Sequence, residues 1–276
     1  MESIQIFKPH LALQSIVSNI FTINAILESK EENRVCHYPP TPQHCIFLYI
    51  NNPLQAKKYY DKEFSIRPSC VVVGPQLTKM SLMINQTHRV AVIGFQPGGL
   101  YRFLGIPMHE LFDDGFDGIE IMGKDVNELL DQCREKIDMR EINELIQNFL
   151  MKRVYNLQKD LPFDKAIHHL VYKNGNMPIA DFADLACVSI RQVERICQER
   201  LGMSPKLYAR LIRFSNAYRM KEKNSSYNWM DIAYKSGYYD QMHFIRDFKE
   251  FAGVTPKLME SDLNRAPIKL QKEMIM

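Results

Sequence analysis

No nucleophile elbow, phosphate-binding loop or clustered metal-ligand motif occurs in these 276 residues, so an enzymatic reading has no reacting group to rest on. Cysteine is sparse and scattered. Cys36, Cys45, Cys70, Cys133, Cys187 and Cys197 form no C-x-x-C pair, which fits reduced thiols better than a disulfide framework. The nearest approach to a metal cluster is Cys36, His37, His44 and Cys45. Pro39, Pro40 and Pro42 stiffen the loop between them and His44 leads into the strand-like CIFLYI, so a structural role is expected, with no metal and no cofactor. No apolar run approaches the roughly 18 residues of a membrane span, and no secretory leader is visible. A cytoplasmic address without a membrane partner is the expectation. Charge of one sign is also scarce, the net being only +3, yet it is uneven. Residues 164–260 hold 15 Lys and Arg against 11 Asp and Glu, while the remainder holds 20 against 21. A basic C-terminal part on a neutral partner suits a nucleic-acid reader attached to something else.

What the chain does have is a repeat. SIRQVERICQERLGMSPKL (Ser189 to Leu207) and DQMHFIRDFKEFAGVTPKL (Asp240 to Leu258) align without a gap at an offset of 51. Ser189 and Asp240 are placed to cap a helix start, and Gly202 and Gly253 to stop it. Each capped segment follows a short helix-like stretch and a tight turn, IADFADLACV or MDIAYKSGYY, which is the layout of a helix-turn-helix. Ala183 aligns with Ala233 at an offset of 50, so the second turn carries one extra residue. Gly237 there is free to take positive φ, whereas its counterpart is Cys187, and the first turn is expected to be the less regular.

In the first copy Ile190, Val193, Cys197 and Leu201 recur at helical spacing and are expected to face a core. Arg191, Glu194, Arg195 and Gln198 then share another face. Arg fits guanine O6 and N7, and Gln fits adenine, so that face suits base edges in the major groove. In the second copy Phe244, Phe248 and Phe251 form the buried stripe, leaving Gln241, Met242, His243, Arg246 and Lys249 outward. The alternative for any one such helix is a merely solvated polar face; the duplication, caps and turns together favour DNA reading. Between the copies, residues 206–223 read as one helix, with Leu207, Leu211, Phe214 and Tyr218 along one side and Arg210, Arg213, Arg219 and Lys221 free to neutralise phosphates.

GMSPKLYARLIRF (Gly202 to Phe214) followed by DIAYKSGYYDQMHFIRDFKEFAGVTP (Asp231 to Pro256) resembles the signature of the AraC/XylS family of bacterial transcription regulators. The resemblance covers roughly a hundred residues, from about Phe163 to Glu260. It implies a non-enzymatic, sequence-specific transcription factor with recognition helices at 189–201 and 240–252. Its DNA-binding residues would be Ser189, Arg191, Gln192, Glu194 and Arg195, then Gln241, Met242, His243, Arg246 and Lys249. Implied partners are double-stranded DNA, RNA polymerase, a small-molecule effector and a second copy of the chain. Cys187, Glu194 and Cys197 depart from the family's usual residues, and an acidic Glu194 repels phosphate.

The first half alternates short β-rich runs with turns: Cys45 to Ile50, Ser69 to Val73, Thr78 to Ile84 and Val90 to Phe95. An antiparallel sandwich or small barrel follows, and GFQPGG (Gly94 to Gly99) ends the last strand in a turn. This region resembles, less specifically, the cupin-like N-terminal domains of AraC-type regulators. Phe47, Tyr49, Phe95 and Tyr101 are the candidate effector-binding side chains. Residues 126–155 read as two amphipathic helices that either pair two subunits or pack back on their own barrel. The expected fold is α+β: a β-rich cupin-like regulatory domain (1–155) with following helices, a linker (156–162), an all-α domain with two helix-turn-helix units (163–262) and a tail (263–276).

Overall fold

The computed structural model describes residues 2–27, 34–266, 268–269 and 271. Among the described residues, ten strands build the first half: β1 (Glu2–Phe7), β2 (Val17–Ile26), β3 (Val35–Tyr38), β4 (Cys45–Tyr49), β5 (Gln55–Lys58), β6 (Ser65–Ile66), β7 (Cys70–Val73), β8 (Met80–Met83), β9 (Thr87–Phe95) and β10 (Gly115–Asp117). They form two antiparallel sheets, one in the order β1-β2-β9-β4-β7-β10 and one in the order β3-β8-β5-β6. The sheets enclose a core without closing into a barrel.

Strand alternation divides the apolar residues of the six-stranded sheet between two cores. Phe21, Ile23, Val71, Val90 and Val92 face the smaller sheet, alongside Tyr38, Ala56 and Met80 from it. The opposite parity, Ile20, Ile46, Leu48, Val72, Ala91, Ile93 and Phe95, faces a helical layer. That layer contains α1 (Gly99–Leu104), α2 (Gly118–Met122), α3 (Asp125–Glu135) and α4 (Met139–Met151). Because both of their faces are covered, β4 (CIFLY) and most of β9 (VAVIGF) read as nearly continuous apolar runs, whereas β2 (VSNIFTINAI) buries polar Asn19 and Thr22 as well.

Leu129, Leu130, Cys133, Ile142, Ile146, Phe149 and Leu150 are buried in the sheet–helix core. Of the two readings of these helices, the one seen is packing on their own sheet. Ile137, which continues the apolar spacing of Leu129, Leu130 and Cys133 in the sequence, stands 89% exposed between them. Beyond Met151 the chain runs through a 3-10 turn (Val154–Asn156) and an extended strap. Gln158 ties that strap to α1, its N–H donating to Arg102 O at 2.8 Å while Arg102 Nε donates to Gln158 O at 3.2 Å.

The second half is all helical: α5 (Pro162–Tyr172), α6 (Ile179–Leu185), α7 (Ile190–Leu201), α8 (Pro205–Lys223), α9 (Trp229–Lys235), α10 (Gln241–Ala252) and α11 (Pro256–Arg265). They share one core, in which Phe214 lies 4.9 Å from Phe248 and 5.2 Å from Phe251. Residues 263–265, placed with the tail by sequence, finish α11. Ile268 and Gln271 are buried; Pro267, Leu270 and residues 272–276 lie outside the described residues.

Candidate nucleic-acid interface and the cavity between the sheets

The two units are built by the same local chemistry. The Ser189 side chain accepts from Gln192 N at 3.3 Å and the Asp240 carboxylate accepts from His243 N at 2.8 Å, satisfying orphan donors at the starts of α7 and α10. Gln192 completes a capping box by accepting from Ser189 N at 3.0 Å. In the preceding turns Val188 N donates to Ala183 O at 3.1 Å, and Tyr238 N to Ala233 O at 3.0 Å. The residue before each donor takes a left-handed conformation: Cys187 at φ 54 and Gly237 at φ 86. The first turn is therefore as regular as the second, and Cys187 bears the strain that Gly237 avoids. The extra residue of the second unit falls after the left-handed position, where Tyr239 is 97% exposed.

Arg191, Gln192, Glu194 and Arg195 stand exposed on α7 beside Ser189. Gln241, Met242, His243, Arg246 and Lys249 stand exposed on α10. One expectation about α7 fails, at its first turn, and its last turn buries a cation that the sequence reading did not single out. Ile190, in the first turn, is 44% exposed, and Arg200 in the last turn is 4% exposed beside Ile196 and Leu201. Val193, Cys197 and Leu201 are buried, as are Phe244, Phe248 and Phe251.

The cations of α8 are mostly engaged within the fold. Arg210 bonds Asp247 (Nη2 to Oδ1, 2.8 Å) and Glu250, clamping α8 to α10, so these hydrogen bonds hold its guanidinium above the ordinary range. Arg213 donates to Gly175 O at 2.9 Å, and Arg219 donates to Asn216. Lys221 pairs with Glu260 at 2.8 Å and donates to Ser225 O and Tyr227 O. Lys206 and Lys223 are the exposed cations of this helix. Lys206, Arg213, His243 and Arg246 line a groove beside α10.

The C-terminal end of α7 docks on the β-rich domain. Arg200 Nη1 lies 2.7 and 2.6 Å from the two carboxylate oxygens of Asp164, and Arg200 Nη2 donates to Lys159 O at 3.1 Å. The guanidinium sits over the Tyr101 ring, 4.9 Å from its centroid, while Tyr101 OH donates to Glu199 Oε1 at 2.7 Å. Burial pushes the Asp164 carboxyl up, against the opposing pull of the Leu161 N–H and Arg200. Gly202 caps the helix at φ 73, so close to the β-rich domain that an added Cβ would lie 2.3 Å from Pro75 Cγ. The GFQPGG turn belongs to this contact, since Gly98 (φ 77) starts α1 beside Asp164.

A cavity lies between the sheets, lined by Phe21, Tyr38, Phe47, Tyr49, Arg67 and His88 among others. Of the candidate effector-binding side chains, Phe47 and Tyr49 line it. Phe95 and Tyr101 lie elsewhere: Phe95 has the opposite parity on β9 and packs tilted against Phe103 with ring centroids 5.6 Å apart, and Tyr101 is in the interdomain contact. His88 Nδ1 and His44 Nε2 are buried without a hydrogen-bond partner among the described residues, and burial lowers both imidazoles to about 4. His37 Nδ1 instead lies 3.2 Å from Ser81 Oγ, and among the described residues no three His, Cys, Asp or Glu side chains gather to hold a metal. No helix among them is long and apolar enough to cross a membrane.

Two capped helices of like build, on one core and joined by one long helix, define a double helix-turn-helix domain. Residues 182–260 match the family described as a helix-turn-helix domain, of AraC type, and residues 5–117 match a domain of unknown function (DUF6597). Residues 182–260 thus form a helix-turn-helix domain of AraC type. No curated protein matches the chain. Among solved structures, apo ToxT from Vibrio cholerae is 17% identical over 88% of this chain and 97% of that one, with TM-score 0.49. Vibrio cholerae ToxT with an unsaturated fatty acid bound is 14% identical over 94% of each chain, TM-score 0.47. The AraC-like transcriptional activator CuxR is 12% identical over 75% of this chain and 84% of that one, TM-score 0.28.

Proposed function

We propose that this regulator reads DNA by placing α7 and α10 in successive segments of the major groove, under the control of a small molecule held between its sheets. The observation that carries the first part is the paired exposure of the reading residues at both ends of one rigid connector. Helix α8 has 19 residues and so measures about 28 Å, commensurate with a helical repeat of about 34 Å. Arg191, Gln192, Glu194 and Arg195 would meet one set of base edges, and Gln241, Met242, His243 and Arg246 the other. Lys249 and the exposed Lys206 and Lys223 are the phosphate contacts; Arg210 and Lys221 are not, because each already has carboxylate partners. No catalytic step is involved. Selection of bound sequences from a random duplex pool tests this reading: enrichment of two boxes about one helical turn apart supports it, and enrichment of a single box contradicts it.

For the effector, the support is an apolar cavity that also presents Arg67 and the unpartnered His88 Nδ1. The space is about 70 Å³, less than half of the roughly 150 Å³ that takes up benzene. An occupant must therefore displace side chains or part the sheets, so binding is coupled to movement of the strands around it. RNA polymerase and a second copy of the chain are the further partners that this reading entails.

A further inference from the structure

One apolar side chain on the first reading helix is not where its spacing puts it. Ile190 belongs by period with Val193, Cys197 and Leu201, yet those three are buried and Ile190 is 44% exposed in the first turn of α7. Its counterpart in the repeat, Gln241, opens α10 and is exposed too.

Ile190 and Glu194 are one turn apart and so lie on the same side of α7. With Met177, Ile179, Lys206 and Arg213 they line a groove beside that helix. Lys206 and Arg213 also line the groove beside α10, so the two reading helices flank one cation-bearing seam. A seam of that charge suits a polyanion better than an apolar protein surface. Within it, the carboxylate of Glu194 is repelled by phosphates but can accept from the amino group of cytosine. The edge of α7 that carries Glu194 and Ile190 therefore suits base edges and not the backbone.

The N-terminal residues of a recognition helix are those that meet base edges. An isoleucine there has no hydrogen bond to offer. Among the groups that the major groove presents, the apolar one is the C5-methyl of thymine.

We propose that Ile190 is a base-reading residue, packing on a thymine methyl group in the box read by α7. The proposal rests on the reading of DNA by α7 and α10 given above, and adds to it one residue and the base it selects. The contact takes out of water a side chain that the free protein leaves exposed, together with the methyl group it meets.

The test uses the full chain and the two-box duplex enriched from the random pool, the α7 box being the one that Arg195→Ala alters. Each thymine of that box is replaced in turn by deoxyuridine, which removes the C5-methyl and leaves the hydrogen-bonding groups in place. For the wild type, one such replacement should weaken binding about 4-fold, the factor for one buried methyl-sized group. Ile190→Ala should bind the thymine duplex more weakly and be indifferent to that replacement. Ile190→Val, which keeps a branched apolar side chain, should still distinguish the two duplexes. Both variants should lose as much as the wild type when the α10 box is scrambled, which shows them folded and docked. An α7 box without thymine, a wild type indifferent to every thymine methyl in it, or an equal deoxyuridine effect in wild type and Ile190→Ala overturns the proposal and leaves the two-box reading standing. A pool that enriches no pair of boxes overturns that reading, and the role of Ile190 with it.

Discussion

Arg200 Nη1 lies within 2.7 Å of both carboxylate oxygens of Asp164, and the pair is buried where α5, α7 and the β-rich domain meet. Read as sequence, Arg200 is one more cation on a DNA-facing helix; in the fold it is a structural group. Arg200→Met should leave Asp164 buried and unpaired, lowering stability by about 3–5 kcal/mol in chemical denaturation. Adding Asp164→Asn should recover part of that loss. Equal loss in the single and double variants would show that the pair's charge is not what matters.

Gly202 and Gly253 occupy equivalent C-caps, at φ 73 and φ 72, but only Gly202 abuts the other domain. A Cβ at Gly253 meets nothing within 4 Å. Gly253→Ala should therefore cost about 1–2 kcal/mol from the left-handed backbone alone. Gly202→Ala should cost more and make the junction between the domains more susceptible to limited proteolysis. Equal melting shifts for the two variants would deny the interdomain contact.

Cys187 holds φ 54 in the first turn, where Gly237 holds φ 86 in the second. Its exposed thiol packs against little, so Cys187→Gly should stabilise the domain by roughly 0.5–1 kcal/mol, net of glycine's greater unfolded-state freedom. Thermal melting under reducing conditions checks the sign.

Much of the helical half was legible because its signals are local. Ser189, Asp240, Gly202 and Gly253 carry caps and stops in their own chemistry, and duplication removed the ambiguity of any single helix. The reach of long side chains was not legible. Arg210, Arg213, Arg219 and Lys221 look like a cationic stripe, yet Arg210, Arg213 and Lys221 find partners, among them Asp247, Glu250, Gly175 and Glu260, on elements brought near only by packing. In the β-rich half, β4, β7, β8 and β9 were visible as runs. β2 escaped because residues on both of its faces are buried, leaving no alternation to read. Phe95 was misplaced for a related reason: parity along β9 separates it from Val90 and Val92, but sequence does not say which face holds the cavity. Nothing local in Ile268 or Gln271 announces that they are buried.

Burial lowers His44 and His88 from 6.5 to about 4. The unfolded chain takes up these protons below about pH 6.5 while the folded chain does not, so stability present at neutral pH is lost as pH falls. Each histidine should contribute a slope of about 1.4 kcal/mol per pH unit between those values. Urea midpoints measured from pH 7 to pH 4.5 should fall, and His88→Gln should flatten the decline by one histidine's share. A midpoint independent of pH would mean that these imidazoles are not held neutral.

The central claim is that two helices of one domain read two boxes. Its most direct test repeats the selection from random duplexes with Arg195→Ala and with Arg246→Ala. Each should relax preference at one base pair in its own box, cost about 1–3 kcal/mol on the wild-type duplex and leave the other box intact. Equal loss of binding on enriched and scrambled duplexes, or the same box altered by both variants, would contradict the account.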